Sequence, residues 1–168
     1  MSNETDVMIG YHAVPVIVDA FFKGLTEVAP EKLYEAIKTS AMQDRFGIDL
    51  YRQYGYIPSE LEVEAVSKTL EYAYDDWAIA RLARHLGYEK DVEYFTERSQ
   101  FYRTLFESES GFMRGKNAQG EWVTPFSPTH VEHRKTDYTE ANAWQYTWFV
   151  PHDVEGLIGL FNGEKPFI

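Results

Sequence analysis

The stretch SELEVEAVSKTLEYAYDDWAIARLARHLG (residues 59–87) decides the fold class. Val63, Val66, Leu70, Ala73, Trp77 and Ala80 recur at three- and four-residue spacing, and Leu82 and Leu86 extend a neighbouring stripe. That is the period of an α-helix rather than the alternation of a strand. The spacing predicts one long helix from Ser59 to about Leu86. Gly87 follows as a natural cap, because glycine takes the left-handed conformation that ends helices at little cost.

The same period extends on both sides. Residues 11–25 read as a helix with Val14, Ile17, Val18, Phe21, Phe22 and Leu25 on one broad face. Pro30 suits a first helical turn, and Leu33, Tyr34, Ile37 and Ala41 follow at helical spacing. The Tyr/Gly/Pro-rich run YRQYGYIP (51–58) reads as a loop. A further helix is expected over 89–106, with Val92, Phe95, Ser99, Tyr102 and Phe106 on its face. The pattern then changes. Phe112-Met113-Arg114 and Trp122-Val123-Thr124 read as two short strands around a turn at 117–120, and an irregular stretch runs on to about Tyr138. Thr139 is placed to cap a helix over 140–149, and 153–162 reads as the last helix. Residues 1–8 are expected to be a disordered, polar terminus. The class is therefore all-α, with helical hairpins and a short β-hairpin within a long loop near 110–138. Bundles, solenoids and α/α toroids share this pattern, and periodicity does not choose among them.

Composition narrows the functions. The 168 residues carry 16 Lys and Arg against 27 Asp and Glu, a net charge of −11, which argues against a nucleic-acid partner. The absence of cysteine excludes disulfides and thiolate metal sites. No apolar run approaches the roughly 20 residues of a membrane span. The N-terminus MSNETDVM lacks the basic and apolar regions of a signal peptide. Aromatic residues reach 16%, which fits either a helical core or a cleft that stacks on flat ligands such as sugar rings. Phosphate loops, dinucleotide fingerprints, HExxH and GxSxG are all missing.

Three constellations remain. Glu71 and Asp75 lie four residues apart and so share a helix face. They are either solvated or paired with Lys68, Arg81 or Arg84, or else they point into a polar cavity beside Tyr72, Tyr74 and Trp77. The irregular stretch gathers Arg114, Trp122, His130, His133, Arg134 and Asp137. A spacing of three in a loop does not make His130 and His133 metal ligands. In DYTEANAWQYTWFVPHD (137–153), Glu140 is open to two opposed readings. A carboxylate in a first helical turn is favoured by the helix dipole. A carboxylic acid buried among Tyr138, Trp144 and Trp148 would have its pKa raised and serve as a general acid.

Several segments together resemble glycoside hydrolase family 92, bacterial calcium-dependent α-mannosidases that often act on α-1,2 linkages. They are GYHAVPVIVDAFFKG (10–24), YGYIP (54–58), SKTLEYAYDDWAIA (67–80), GFMRG (111–115), WVTPFSP (122–128) and DYTEANAWQYTWFVPHDVEGLI (137–158). They occur in the family's order and are spread over nearly the whole chain after residue 9. The resemblance implies that 9–168 is a fragment of an (α/α)6 catalytic toroid, acting on mannose-containing glycans in the periplasm, at the cell surface or outside the cell. It implies cleavage with inversion, and it puts Glu140 in the general-acid position. The family usually has glycine at the position of Ala141. Arg114, Trp122 and His152 fall in matching segments and are the implied substrate contacts, with Asp75 and Asp76 as similar candidates.

An inverting glycosidase needs a second carboxylate about 6.5–9.5 Å from the first to activate water. In the family the base belongs to a later motif near a Gln-Met-Ser-Ala-Trp run, which this chain lacks, as it lacks the Gly-Asn-Glu-Pro block and the N-terminal β-sandwich. Calcium is implied for the complete enzyme, with no ligand assigned in this chain. The expectation is a fragment that carries the acid without the base. The alternative is a non-catalytic helical module that binds carbohydrate or protein.

Overall fold

The computed structural model describes residues 8–163 and Phe167. Residues 1–7 of the expected disordered terminus lie outside the described residues. Helix α1 spans Ala13–Phe22, α2 Pro30–Ala41, α3 Ile48–Tyr54, α4 Ala65–Leu86 and α5 Glu89–Arg98. A 3-10 turn, Phe101–Leu105, leads into a two-residue strand β1 (Phe106–Glu107), which pairs antiparallel with β2 (Phe112–Met113). Two short helices follow, α6 (Ala143–Tyr146) and α7 (Val154–Leu160).

Helix α4 is the axis. It packs against α1, α2, α5 and the 3-10 turn. Its C-terminal half meets Val14, Val18, Tyr34, Ile37 and Phe95, and its N-terminal half meets Tyr102, Leu105, Met113, Tyr138 and Leu157. Gly87 closes it at φ +74, with its N–H bonded to the carbonyls of Ala83 and Arg84. The next helix begins at Glu89, so α4 and α5 form a hairpin.

Four expectations are corrected. The long helix starts at Ala65 rather than Ser59, because Glu64 sits at φ +60, outside the helical region; Leu61 and Val63 are left exposed. The run 51–58 is not all loop: α3 covers its first half, with Ile48 and Tyr51 buried and left-handed glycines at 47 and 55 bracketing it. The helix expected over 89–106 is α5 followed by the 3-10 turn, yet Phe95, Ser99 and Tyr102 are buried as the stripe requires. Residues 112–113 pair with 106–107, whereas the turn at 117–120 is closed by a single bridge between Lys116 and Trp122.

Two polar clusters tie the helices together. Asp76 on α4 and Arg98 at the end of α5 are both buried, and Arg98 Nε donates to Asp76 Oδ2 at 2.6 Å. The Tyr11 hydroxyl donates to Asp76 Oδ1 at 2.7 Å, and Arg98 reaches the Ala41 carbonyl at 3.2 Å. One ion pair thus joins the start of α1, the end of α2, α4 and α5. The second cluster answers the question posed by Glu71 and Asp75. Neither is solvated, and their partner is none of Lys68, Arg81 and Arg84. His12 lies between them, Nε2 2.6 Å from Glu71 and Nδ1 2.7 Å from Asp75. Burial works against the His12 charge, but the hydrogen bonds to Asp75 and Glu71 outweigh it and push the imidazole up to about 10. Burial pushes the Asp75 carboxyl up, against the pull of His12.

Helix α1, AVPVIVDAFF, is apolar nearly all round. Its inner face buries Val14 and Val18, while Val16 remains 68% exposed. A helix of that composition suits burial on more than one side.

Removing one partner of a buried ion pair leaves an uncompensated charge, which costs about 3–5 kcal/mol, whereas replacing both by apolar residues costs far less. In urea unfolding, Arg98→Met is expected to destabilise by about that amount and Asp76→Leu/Arg98→Met to recover part of it; a single-variant loss no larger than the double-variant loss would contradict the assignment. A raised imidazole pKa gives stability that is fully present below the ordinary value of 6.5 and lost as the pH rises toward 10. The Tm is therefore expected to fall across that interval, and less steeply in His12→Gln; parallel slopes would refute it.

Candidate active site

Residues 136–153 bring the candidate acid to the surface of α4. Glu64 N–H donates to the Thr136 carbonyl at 3.0 Å, and Ser67 N–H donates to the Asp137 carbonyl at 3.1 Å. The Ser67 hydroxyl oxygen accepts from Thr139 N–H at 2.9 Å. Ser67 is fully buried, so both bonds are shielded from water. The Tyr138 hydroxyl donates to the Met113 carbonyl at 2.6 Å, and Met113 N–H donates to Thr147 Oγ1 at 3.1 Å. The short sheet therefore grips this segment at two points. Six residues beyond Glu140, the Tyr146 hydroxyl donates to Glu71 Oε1 at 3.3 Å, and burial followed by the Glu71 charge pushes that phenol up to about 12.

Glu140 itself is exposed and has a left-handed backbone at φ +49. That conformation costs a residue with a Cβ about 1–2 kcal/mol, so the flanking bonds have to hold it. It also breaks the helix expected over 140–149. Only Ala143–Tyr146 is helical, entered through Asn142, whose N–H donates to Gln145 Oε1 at 3.2 Å. Thr139 is not the cap, and Glu140 lies before the helix rather than in its first turn. Ala141 is accommodated: the left-handed residue is its neighbour, and the alanine side is buried.

The implied substrate contacts fall in two places. Arg114 donates to Glu107 at 3.1 Å and to the Val123 carbonyl at 3.0 Å, and its guanidinium lies 4.3 Å from the Phe126 ring centre. Trp122 is half-buried beneath Lys116, whose ammonium is 4.2 Å from its ring, with Arg114 on the same ring at 5.7 Å. An aromatic run of Phe126, Phe112 and the exposed Trp144 connects Arg114 to the segment that follows Glu140. His152 belongs elsewhere. Its Nε2 is 2.9 Å from the Ser99 carbonyl, its ring packs on Tyr74, Trp77 and Tyr102, and burial lowers its pKa. The adjacent Asp153 caps α7, accepting from Gly156 N–H at 3.0 Å. Asp75 and Asp76 are committed to His12 and Arg98, as described above.

Two cavities border Val63, just before α4. One of about 680 Å³ is lined by Tyr11, His12, Arg45, Lys68, Tyr72 and Arg134. The other, of about 500 Å³, is lined by Ser59, Phe126, His130, Asp137 and Tyr138. Burial pushes the Asp137 carboxyl up, against the Ser59 hydroxyl. A Cβ on Gly115 would collide with both of those side chains, so they would have to move to admit a larger residue. Glu140 lines neither cavity. His130 and His133 are exposed, and among the described residues no group of three or more His, Cys, Asp or Glu is arranged to hold a metal ion. Sequence reading missed Ser67, Tyr146 and His12. Ser67 and Glu71 carry a signal in retrospect, as two polar residues one turn apart on a helix that is otherwise buried. His12 carries none, because its partners are remote in sequence.

Comparison with known proteins places this geometry. An α-mannosidase of family 92 from Bacteroides thetaiotaomicron, solved in complex with mannoimidazole, superposes with a TM-score of 0.93 at 45% identity, over 98% of this chain and 22% of its own. A family 92 inverting mannosidase from the same organism gives 0.89 at 38% identity, over 95% of this chain and 22% of its own. A protein of Arthroderma benhamiae named as an uncharacterized secreted glycosidase is 25% identical, over 95% of this chain and 25% of its length. The chain thus spans about a quarter or less of the length of these relatives. Its helical hairpins are a segment of the α/α toroid of the solved structures. The profile of the glycosyl hydrolase family 92 catalytic domain matches residues 1–168, and the chain belongs to that family.

Proposed function

We propose that residues 9–168 are the general-acid part of an exo-acting α-mannosidase that hydrolyses α-mannosidic linkages of mannose-rich glycans, of the α-1,2 type, with inversion. The observation that carries this reading is the match to family 92 mannosidases over nearly the whole chain. In this reading Glu140 protonates the glycosidic oxygen as the bond to the anomeric carbon breaks. A carboxylate from another part of the enzyme takes a proton from water attacking the opposite face. Arg114 and Trp122 contact the sugar beside the aromatic run that reaches Trp144, and His152 is a separate contact set apart from them.

A general acid works best in a site closed to water, where its pKa is raised. Glu140 is exposed in this chain, and Trp144 and Trp148 beside it are 54% and 44% exposed. The walls that enclose them belong to the rest of the toroid and a β-sandwich domain, and the outward face of α1 fits the same incompleteness. The described residues offer no self-contained calcium site, so no step is assigned to that ion here. Calcium of the complete enzyme would draw ligands from other segments, where it would bind and orient the sugar hydroxyls. The periplasm, the cell surface or the exterior is the expected setting, in keeping with the secreted glycosidase among its relatives.

The chain alone is expected to release no mannose from an α-mannobiose. Turnover that requires calcium and vanishes in Glu140→Gln would contradict this. In the full-length enzyme Glu140→Gln is expected to lower kcat on the disaccharide by about 10²- to 10⁴-fold, the usual contribution of a general acid. Unchanged turnover would show that Glu140 is not the acid. Saturable mannoside binding by calorimetry without turnover in the full-length protein would favour the binding-module alternative.

A further inference from the structure

We propose that Ser67 is a positioning residue for the general acid, holding the Glu140 carboxyl in place through the backbone of Thr139. This rests on the reading of Glu140 as the acid. Three observations support it. Ser67 is fully buried, and both of its main polar groups are spent on one segment: its N–H on the Asp137 carbonyl and its hydroxyl oxygen on Thr139 N–H. The second bond ends one residue before Glu140. Glu140 has a left-handed backbone that its own side chain disfavours, so its placement comes from its flanks rather than from local preference. Finally, the other flank is tied to the same helix one turn further on, where Tyr146 donates to Glu71, itself held by His12. Glu140 therefore sits in a span clamped at both ends on one face of α4.

Losing the Ser67 hydroxyl frees Thr139 N–H and lets the Glu140 backbone relax. A misplaced acid slows only reactions that need protonation of the leaving group. The test uses the full-length enzyme and two substrates, an α-mannobiose and 2,4-dinitrophenyl α-mannoside, whose leaving group needs no proton. Ser67→Ala is expected to lower kcat on the disaccharide by about 10- to 100-fold with KM little changed, and to leave the aryl mannoside within about threefold. Ser67→Thr, which keeps the hydroxyl, is expected to retain most of the disaccharide activity. Ser67→Cys keeps the size with a weaker acceptor and is expected to fall between the two. It also serves as the probe if the alanine variant fails to fold.

Glu140→Gln is run beside them. If it discriminates between the two substrates and the Ser67 variants do not, or if they slow both substrates equally, the positioning role is overturned while the acid assignment stands. If Glu140→Gln does not discriminate, the acid assignment itself fails and the positioning role falls with it.

Discussion

A helix buried on nearly every side has to satisfy every polar group it carries, because an unpaired buried donor, acceptor or charge costs more than most packing contacts return. Helix α4 is under that constraint along its length. Ser67, Glu71, Asp75 and Asp76 are all buried on it. Their partners come from segments far away in sequence: Thr139 for Ser67, Tyr146 and His12 for Glu71, Tyr11 for Asp75, and Arg98 and Tyr11 for Asp76. Satisfying those groups is what docks the start of α1, the end of α5 and the segment around Glu140 onto one element. The apolar core fills the space between them, but the polar pairs set which residue meets which.

The same constraint explains what the sequence made legible. Apolar spacing depends only on near neighbours, so the existence and buried faces of α1, α2, α4 and α5 could be read, as could the burial of Phe95 and Tyr102 across a break in the helix. Backbone conformations imposed by remote contacts could not. Glu64 at φ +60 cuts six residues from the start of the long helix, and Glu140 at φ +49 cuts three from the helix after it. Neither is glycine, so neither announces itself. Helix α3 hid behind tyrosines and glycines that also suit a loop, although Gly47 and Gly55 were its caps. Glu71 and Asp75 were read as sharing a helix face, but the group that sits between them, His12, lies just before α1, far away in sequence. Glu140 was singled out by family resemblance and by its aromatic neighbours; spacing alone left it open between a helix start and a buried acid, and in this chain it is exposed and lies before the helix.

Strain and exposure at Glu140 belong together. Structural roles favour glycine at a left-handed position, and a surface carboxylate in that conformation contributes nothing visible to this fold. Under the proposed function, a glutamate held there by bonds on both flanks is the acid facing a sugar cleft that other parts of the toroid would complete. The aromatic run from Trp144 through Phe112 to Phe126, which Arg114 joins to Trp122, lies beside the same segment and suits the apolar face of a sugar ring.

The most direct test is a crystal structure of the full-length protein with mannoimidazole, whose imidazole nitrogen stands in for the glycosidic oxygen. The account predicts the Glu140 carboxyl within hydrogen-bonding distance of that nitrogen, about 3 Å, with Thr139 N–H still bonded to Ser67. A bound inhibitor that Glu140 does not reach, with another carboxyl in that place, would contradict it.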